Sequence, residues 1–401
     1  MTAQHRERDI RHMRHAARLA LRGHGGAEPN PMVGCVIVDA HDTVIGWGLH
    51  RRCGEAHAER AALESARSAG HSTRGATVYV TLEPCLGSGR TAPCVDALID
   101  AEVARVVHAC RDPHPKGRGG ADALRAAGIA VELLSDCEEA TALSAPFRRR
   151  VVDGRPWIVA KWAMTIDGRI ASSSGDSQWI SNPRSRAAVH RERGRVDAII
   201  TGIGTVLADD PRLTARSVRR RRVARRVVVD PQLRLPDECA LLRTLDDAPL
   251  TIACATSLAD GGRAASLRSL GVEVLALPDD RSDSPVDRGL AGQAHSTLRT
   301  PLDLQPLAEH LATAHHATVC LVEAGPRLVG SLIAQELVDE AWIFVAPRLL
   351  GDAAAIPSVD GLAAPRMTDA SRWSLVDVRR RGEDVMLRYR SASASRMVDS
   401  G

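Results

Sequence analysis

One pattern limits how this chain can fold more than any other: His57-Ala58-Glu59, then Pro84-Cys85, then Cys94 after eight intervening residues. An imidazole and two thiolates form a zinc ligand set, and three protein ligands leave the fourth tetrahedral position open, as in catalytic sites. For these groups to meet, the chain between them must run out and come back. Residues 55–69 are rich in Ala and Glu and close on Gly70, which predicts a helix; 77–82 predict a strand, and 93–101 a second helix. Cys94 then stands at a helix start, where the N-terminal dipole favours a thiolate. Zinc lowers the pKa of bound water to about 7. Glu59, two residues from His57, is the candidate catalytic residue, carrying the proton from that water to a ring nitrogen and a leaving amine; His57, Cys85 and Cys94 are the candidate ligands.

The 401 residues suggest two domains or three. Strand and helix signals alternate through the first 150 residues, so an α/β layer domain is expected over 1–150. Residues near 135–155 read as a connector. A second α/β domain is expected over 151–390, with strands at 158–163, 198–201, 227–230, 250–254, 272–275, 319–323 and 341–346. Two more, 373–378 and 385–389, have no helix between them and should pair antiparallel, giving a mixed sheet. A long loop is expected over 279–303, and residues 391–401 read as a disordered tail.

Charge and composition exclude several classes. With 53 basic and 49 acidic residues the net charge is +4, no nucleic-acid signature. No apolar run approaches the ~20 residues of a membrane helix, and none precedes Asn30 as a secretory signal would. The nine cysteines are therefore expected to be reduced, in a cytoplasmic protein. Seven arginines between Arg216 and Arg226 fit either a solvated loop or a phosphate-bearing ligand. Gly202-Ile203-Gly204 lacks the third glycine of a dinucleotide fingerprint. The stretch Gly325–Ser331 has the spacing of a phosphate loop without its lysine, which leaves a helix N-terminus able to cradle phosphate or an ordinary tight turn.

The first motif set resembles the zinc nucleobase deaminase signature of H-x-E followed by Pro-Cys and Cys. The longer segments 29–38, 54–59, 81–85 and 89–94 are similar to the deaminase half of the bifunctional riboflavin-biosynthesis deaminase/reductases. Segments 161–171, 175–180, 204–216, 323–330 and 346–351 resemble the reductase half, in the same order. The resemblance implies a cytidine-deaminase-like α/β/α layer domain followed by a dihydrofolate-reductase-like domain that uses NADPH. By position it implies NADPH contacts at Ala163, Trp179, Thr205, Asp209, Gly325, Pro326, Arg327, Leu328, Val329, Gly330 and Ser331. It implies substrate contacts at Asn30, His50, Ser177, Arg193, Leu213, Arg216 and Glu323, with Arg90 as a phosphate partner beside the zinc. Arg193 and Arg216 suit a 5′-phosphate, since guanidinium pairs with it bidentately. The partner is then a small pyrimidine ribose phosphate, with no nucleic acid or membrane; a homo-oligomer is left open.

The implied reactions are hydrolytic removal of an amino group from a diaminopyrimidinone ribosyl phosphate, and reduction of the ribosyl chain of the product to ribityl. Two alternatives stand beside this: a paralogue serving a secondary-metabolite pathway, and a binding protein with an inactive deaminase half. The chain differs from the family at two loops. Leu86-Gly87-Ser88 replaces a Ser-His pair after Cys85, and the loop beginning Asp112-Pro113-His114-Pro115 is about two residues shorter. Losing two polar groups beside the zinc is expected to weaken deamination, and Leu86→Ser/Gly87→His to improve it.

Overall fold

The computed structural model describes residues 3–87, 92–278 and 302–399. Two compact units emerge, Met1–Gly154 with Ser395–Gly401, and Arg155–Ala394.

The first unit holds five strands: β1 (Gly34–Val38), β2 (Val44–Leu49), β3 (Thr77–Val80), β4 (Arg105–His108) and β5 (Ala130–Leu133), in the order β2-β1-β3-β4-β5. β1 runs antiparallel to both neighbours, while β3, β4 and β5 are parallel. Strands β1 and β3 are almost wholly apolar, because helices cover both faces of the sheet. Gly46 and Gly48 on β2 let the helix Ala58–Ser68 come down onto the sheet: a Cβ at either would lie 2.5 Å from Ala62 O or 2.4 Å from Ala58 O. That close approach fixes the helix carrying Glu59 and, at its N-cap, His57.

In the connector expected near 135–155, the helical signal of 136–142 does not break at Arg148–Arg150 but runs on as one helix over Glu138–Asp153. Its Ala140, Leu143 and Phe147 face the core, while Pro146 and the run Arg148–Arg150 hide that stripe in the sequence.

The second unit builds a nine-stranded sheet from β6 (Trp157–Met164), β8 (Ala198–Gly202), β9 (Arg225–Val229), β10 (Leu250–Ala255), β11 (Glu273–Leu277), β12 (Val319–Val322), β13 (Glu340–Val345), β15 (Trp373–Arg381) and β16 (Asp384–Ser391). The order is β11-β10-β9-β8-β12-β6-β13-β16-β15. The first seven in that order are parallel; β16 and β15 are antiparallel, so the sheet is mixed. A small antiparallel pair, β7 (Arg169–Ala171) with β14 (Ile356–Pro357), lies outside it. The long loop expected over 279–303 falls, up to residue 301, outside the described residues.

The tail expected to be disordered is a helix, Ala392–Asp399. Ala394 and Val398, one turn apart, are buried, and Arg148 Nη1 donates to Met397 O at 2.7 Å.

Candidate metal centre and candidate anion pocket

In the first unit the three proposed ligands come from a helix cap, a loop and a helix start. His57 caps the helix Ala58–Ser68, Cys85 follows β3, and Cys94 begins the helix Cys94–Asp100. His57 Nδ1 lies 3.5 Å from Cys85 Sγ and 3.4 Å from Cys94 Sγ. Zn–S and Zn–N bonds of about 2.3 and 2.05 Å span a tetrahedral edge of ~3.5 Å, so the donor set fits a zinc ion. The Cys94 N–H donates to Cys85 Sγ at 3.4 Å, the help a helix N-terminus gives a thiolate. The bond between the two thiols holds the Cys85 pKa low and pushes Cys94 up, and the same thiolate raises His57.

Glu59 is 4% exposed beneath these ligands. Burial, helped by the charge of Cys85, pushes its carboxyl up to about 7, within reach of both protonation states at neutral pH. His50 is buried and its ring stands edge-on to His57 at 5.4 Å. Its Nδ1 meets Ala56 O and its Nε2 the Asn30 amide, each at 3.1 Å, and burial keeps it neutral. Asn30 and His50 thus lie beside the ligand set as one bonded pair. Arg90 is outside the described residues.

Sequence reasoning passed over two carboxylates here. Glu83 Oε1 accepts from the N–H groups of Gly119 and Ala121, at 3.2 and 2.9 Å, and Oε2 from Asp112 N at 3.0 Å. One buried side chain therefore clamps both ends of the loop that faces Cys85. Asp112, pushed up to about 6 by burial, accepts from His114 N. Glu83 stands in the segment 81–85, but nothing local marks its three distant partners.

The clamped loop lies directly on the segment after Cys85. Leu86 N donates to Gly117 O at 3.1 Å, and a Cβ at Gly87 would meet Lys116 O at 2.1 Å. The space that a side chain at position 87 would need is occupied by backbone at Lys116.

In the second unit the site residues gather at the C-terminal ends of the parallel strands, where β8 and β12 are neighbours. Crevices there are the usual ligand sites of such sheets. Glu323 follows β12. Arg193 grips it with Nε to Oε1 at 2.6 Å and Nη2 to Oε2 at 2.9 Å, and Lys161 Nζ from β6 stands 3.9 Å from Oε2. Burial acts to raise Glu323, but Arg193 and Lys161 outweigh it and bring it to about 2. Burial lowers Lys161 and His190. His190 Nδ1 accepts from Arg216 N at 3.3 Å.

The arginine run is divided. Arg226 is fully buried on carbonyls of Thr244 and Ala248, Arg222 pairs with Asp197, and Arg225 pairs with Glu273. Arg216 and Arg220, with Arg212 and Thr214, line an open pocket of about 400 Å³. Arg193 and Arg216 are therefore not equivalent: Arg193 is engaged by Glu323, and Arg216 borders open space. Leu213 is buried, takes a left-handed backbone, φ +49°, and does not line that pocket, although its neighbours Arg212 and Thr214 do.

At the start of the helix Pro326–Ala334 the accessible residues are Pro326 and Arg327. Gly325 has only Thr205 Oγ1, at 3.9 Å, near its missing side chain, and nothing lies within 4 Å of where Gly204 would carry one. Arg327 is exposed, but Leu328, Val329, Gly330 and Ser331 are buried. Gly330 is needed for packing, since a Cβ there would lie 1.8 Å from Asp360 O, and Ser331 Oγ donates to Arg327 O. The N–H groups that the helix start can offer a cofactor are those of Gly325, Arg327 and Leu328, since Val329 N already donates to Gly325 O and Pro326 has none. Ala163 is half-buried on β6, Ser177 is half-buried and Asp209 exposed. Trp179 is 60% exposed, with the Arg186 guanidinium 4.5 Å over its ring.

Residues 156–387 match the RibD C-terminal domain, and residues 6–110 the cytidine and deoxycytidylate deaminase zinc-binding region. The riboflavin biosynthesis protein RibD of Escherichia coli is 37% identical over 94% of this chain and 98% of its own length. The chain belongs to the RibD family. It is accordingly a bifunctional enzyme of riboflavin biosynthesis, a zinc-binding deaminase joined to a reductase. Among solved RibD structures, one from Acinetobacter baumannii is similar with a TM-score of 0.78 at 34% identity, covering 96% of this chain and 99% of that one. A Thermotoga maritima protein described as a diaminohydroxyphosphoribosylaminopyrimidine deaminase/5-amino-6-(5-phosphoribosylamino)uracil reductase gives 0.77 at 28% identity, covering 97% and 100%.

Proposed function

We propose that the first unit hydrolyses the amino group of diaminohydroxyphosphoribosylaminopyrimidine, and that the second reduces the ribosyl chain of the resulting 5-amino-6-(5-phosphoribosylamino)uracil with NADPH. The observation that carries the first step is the convergence of His57, Cys85 and Cys94 at zinc-ligand distances above a buried Glu59. Zinc held there supplies the Lewis acidity that makes water nucleophilic at neutral pH. Glu59, with its carboxyl near 7, would take one proton from the water and give it to the ring nitrogen, then carry the second from the added hydroxyl to the departing amine, which leaves as ammonia. The Asn30–His50 pair presents a neutral, fixed hydrogen-bonding edge beside that centre.

In the second unit NADPH supplies the hydride, so the protein's task is orientation and charge. Glu323, ionised at every pH near neutrality, accepts from ribose hydroxyls and does not give up a proton. Arg193 positions it. Arg216 and Arg220 border the pocket suited to the 5′-phosphate, and the first turn from Gly325 offers N–H groups to cofactor phosphate. Among the described residues no helix is long and apolar enough to cross a membrane.

Ammonia release and NADPH oxidation test the two halves separately. Glu59→Ala should keep its zinc, lose deamination, and still oxidise NADPH when given the deaminated substrate. Cys85→Ser should lose the zinc as well. Zinc lost equally in both variants would remove Glu59 from the proposed role, and wild type free of zinc in metal analysis would remove the centre.

A further inference from the structure

A second group of metal-binding side chains lies outside both sites. Glu273 opens β11, the edge strand of the large sheet, His310 stands in the helix Gln305–Ala314, and His315 follows that helix. Glu273 is at the N-terminal end of the parallel strands, whereas Gly202 and Glu323 stand at their C-terminal ends. The cluster is therefore no part of the pocket that holds Glu323.

Its geometry converges on one carboxylate. His310 Nε2 lies 2.8 Å from Glu273 Oε1, and His315 Nε2 lies 3.3 Å from Oε1 and 3.0 Å from Oε2. The two rings stand at 82° with centroids 5.0 Å apart, an arrangement that turns both Nε2 atoms to the same group. Oε2 is in turn held by Thr251 Oγ1 at 2.6 Å and Arg225 Nη1 at 3.1 Å. Outer bonds of this kind orient a ligating carboxylate. Bonds of 2.0–2.1 Å from nitrogen and oxygen span a tetrahedral edge of ~3.35 Å. The His315 spacing already matches, and His310 need retreat only about 0.5 Å. All three side chains are between a fifth and a third exposed, so an ion can reach them.

We propose that Glu273, His310 and His315 form a second divalent-metal site, for an ion of the zinc, cobalt or nickel type that imidazole favours. Bound there, the ion fastens the edge strand to the neighbouring helix. Arg225 opposes a cation and draws on the same carboxylate, so this site binds more weakly than the centre at His57, Cys85 and Cys94.

Metal analysis of the full chain, stripped and then equilibrated with excess Zn²⁺ or Co²⁺ before desalting, tests this. Wild type should hold two equivalents, and His310→Ala/His315→Ala one. Cys85→Ser should also hold one, whose cobalt spectrum lacks the thiolate charge-transfer band of the other centre. Glu273→Gln, which keeps the side-chain volume, should lose the second equivalent while its circular dichroism is unchanged, and stands in should the alanine variants fail to fold. A single equivalent in wild type, or a second one that survives in both the histidine and Glu273→Gln variants, overturns the proposal.

Discussion

Leu86→Ser/Gly87→His installs after Cys85 the Ser-His pair that the sequence resemblance implies. Read from sequence, the change should restore two polar contacts, each worth about 1 kcal/mol, and raise the deaminase kcat/KM. The structure reverses the sign. A Cβ at position 87 would stand 2.1 Å from Lys116 O, and the obstacle is backbone that cannot rotate aside. That backbone belongs to the loop pinned at both ends by Glu83. Overpacking of this kind costs about 1–3 kcal/mol, comparable with the ~2 kcal/mol that two contacts would return, and a side chain blocked at position 87 cannot make its share of them. For a unit of this size that is a fall in Tm of roughly 2–10 °C. Differential scanning fluorimetry should show it, and ammonia release should give a kcat/KM below wild type. Adding two residues within 113–118 together with the double substitution should recover both. A double variant with unchanged Tm and improved kcat/KM would refute the steric argument and reinstate the simpler reading of lost polar groups.

Glu83→Gln keeps the shape of the clamp but offers one acceptor oxygen to three N–H groups. A loss of about 1–3 kcal/mol in stability is expected, with deamination impaired and NADPH oxidation intact, as parallel assays of the two halves will show. Arg193→Met removes the main partner of Glu323, whose pKa should then rise from about 2 toward and beyond its ordinary 4.5. Reduction by the variant should fall as the medium becomes acidic, where wild type is flat, and a pH–rate profile reads this directly. Because the folded-state pKa is depressed, the stability it confers is present above about 4.5 and is lost as pH falls toward 2. Acid melting of the variant should show a smaller loss over that window.

What could be read in advance was what local chemistry dictates. His57, Glu59, Cys85 and Cys94 announce themselves by residue type, because few side chains bind zinc. Alternating apolar runs announce the strands, and the absence of a helix between β15 and β16 announces their antiparallel pairing. What stayed hidden depends on approach across sequence distance. Glu83 and its partners are 29 to 38 residues apart, and Gly87 reads as a lost side chain until Lys116 is seen against it. Residues 138–153 concealed an apolar stripe behind arginines, and 392–399 concealed Ala394 and Val398 behind serines. Arg193 shares its chemistry with Arg216, and only the ion pair with Glu323 separates their duties.

The last helix also bears on the order in which the chain can be made. Residues from Ser395 onward group with the unit that begins at the N-terminus, and Arg148 reaches the Met397 carbonyl. The deaminase unit is thus discontinuous along the polypeptide. Its final segment leaves the ribosome only after the entire reductase unit has been synthesised, so the domain made first is completed last. A fragment ending at Gly154 lacks that segment, and a tag fused at the C-terminus loads the N-terminal domain.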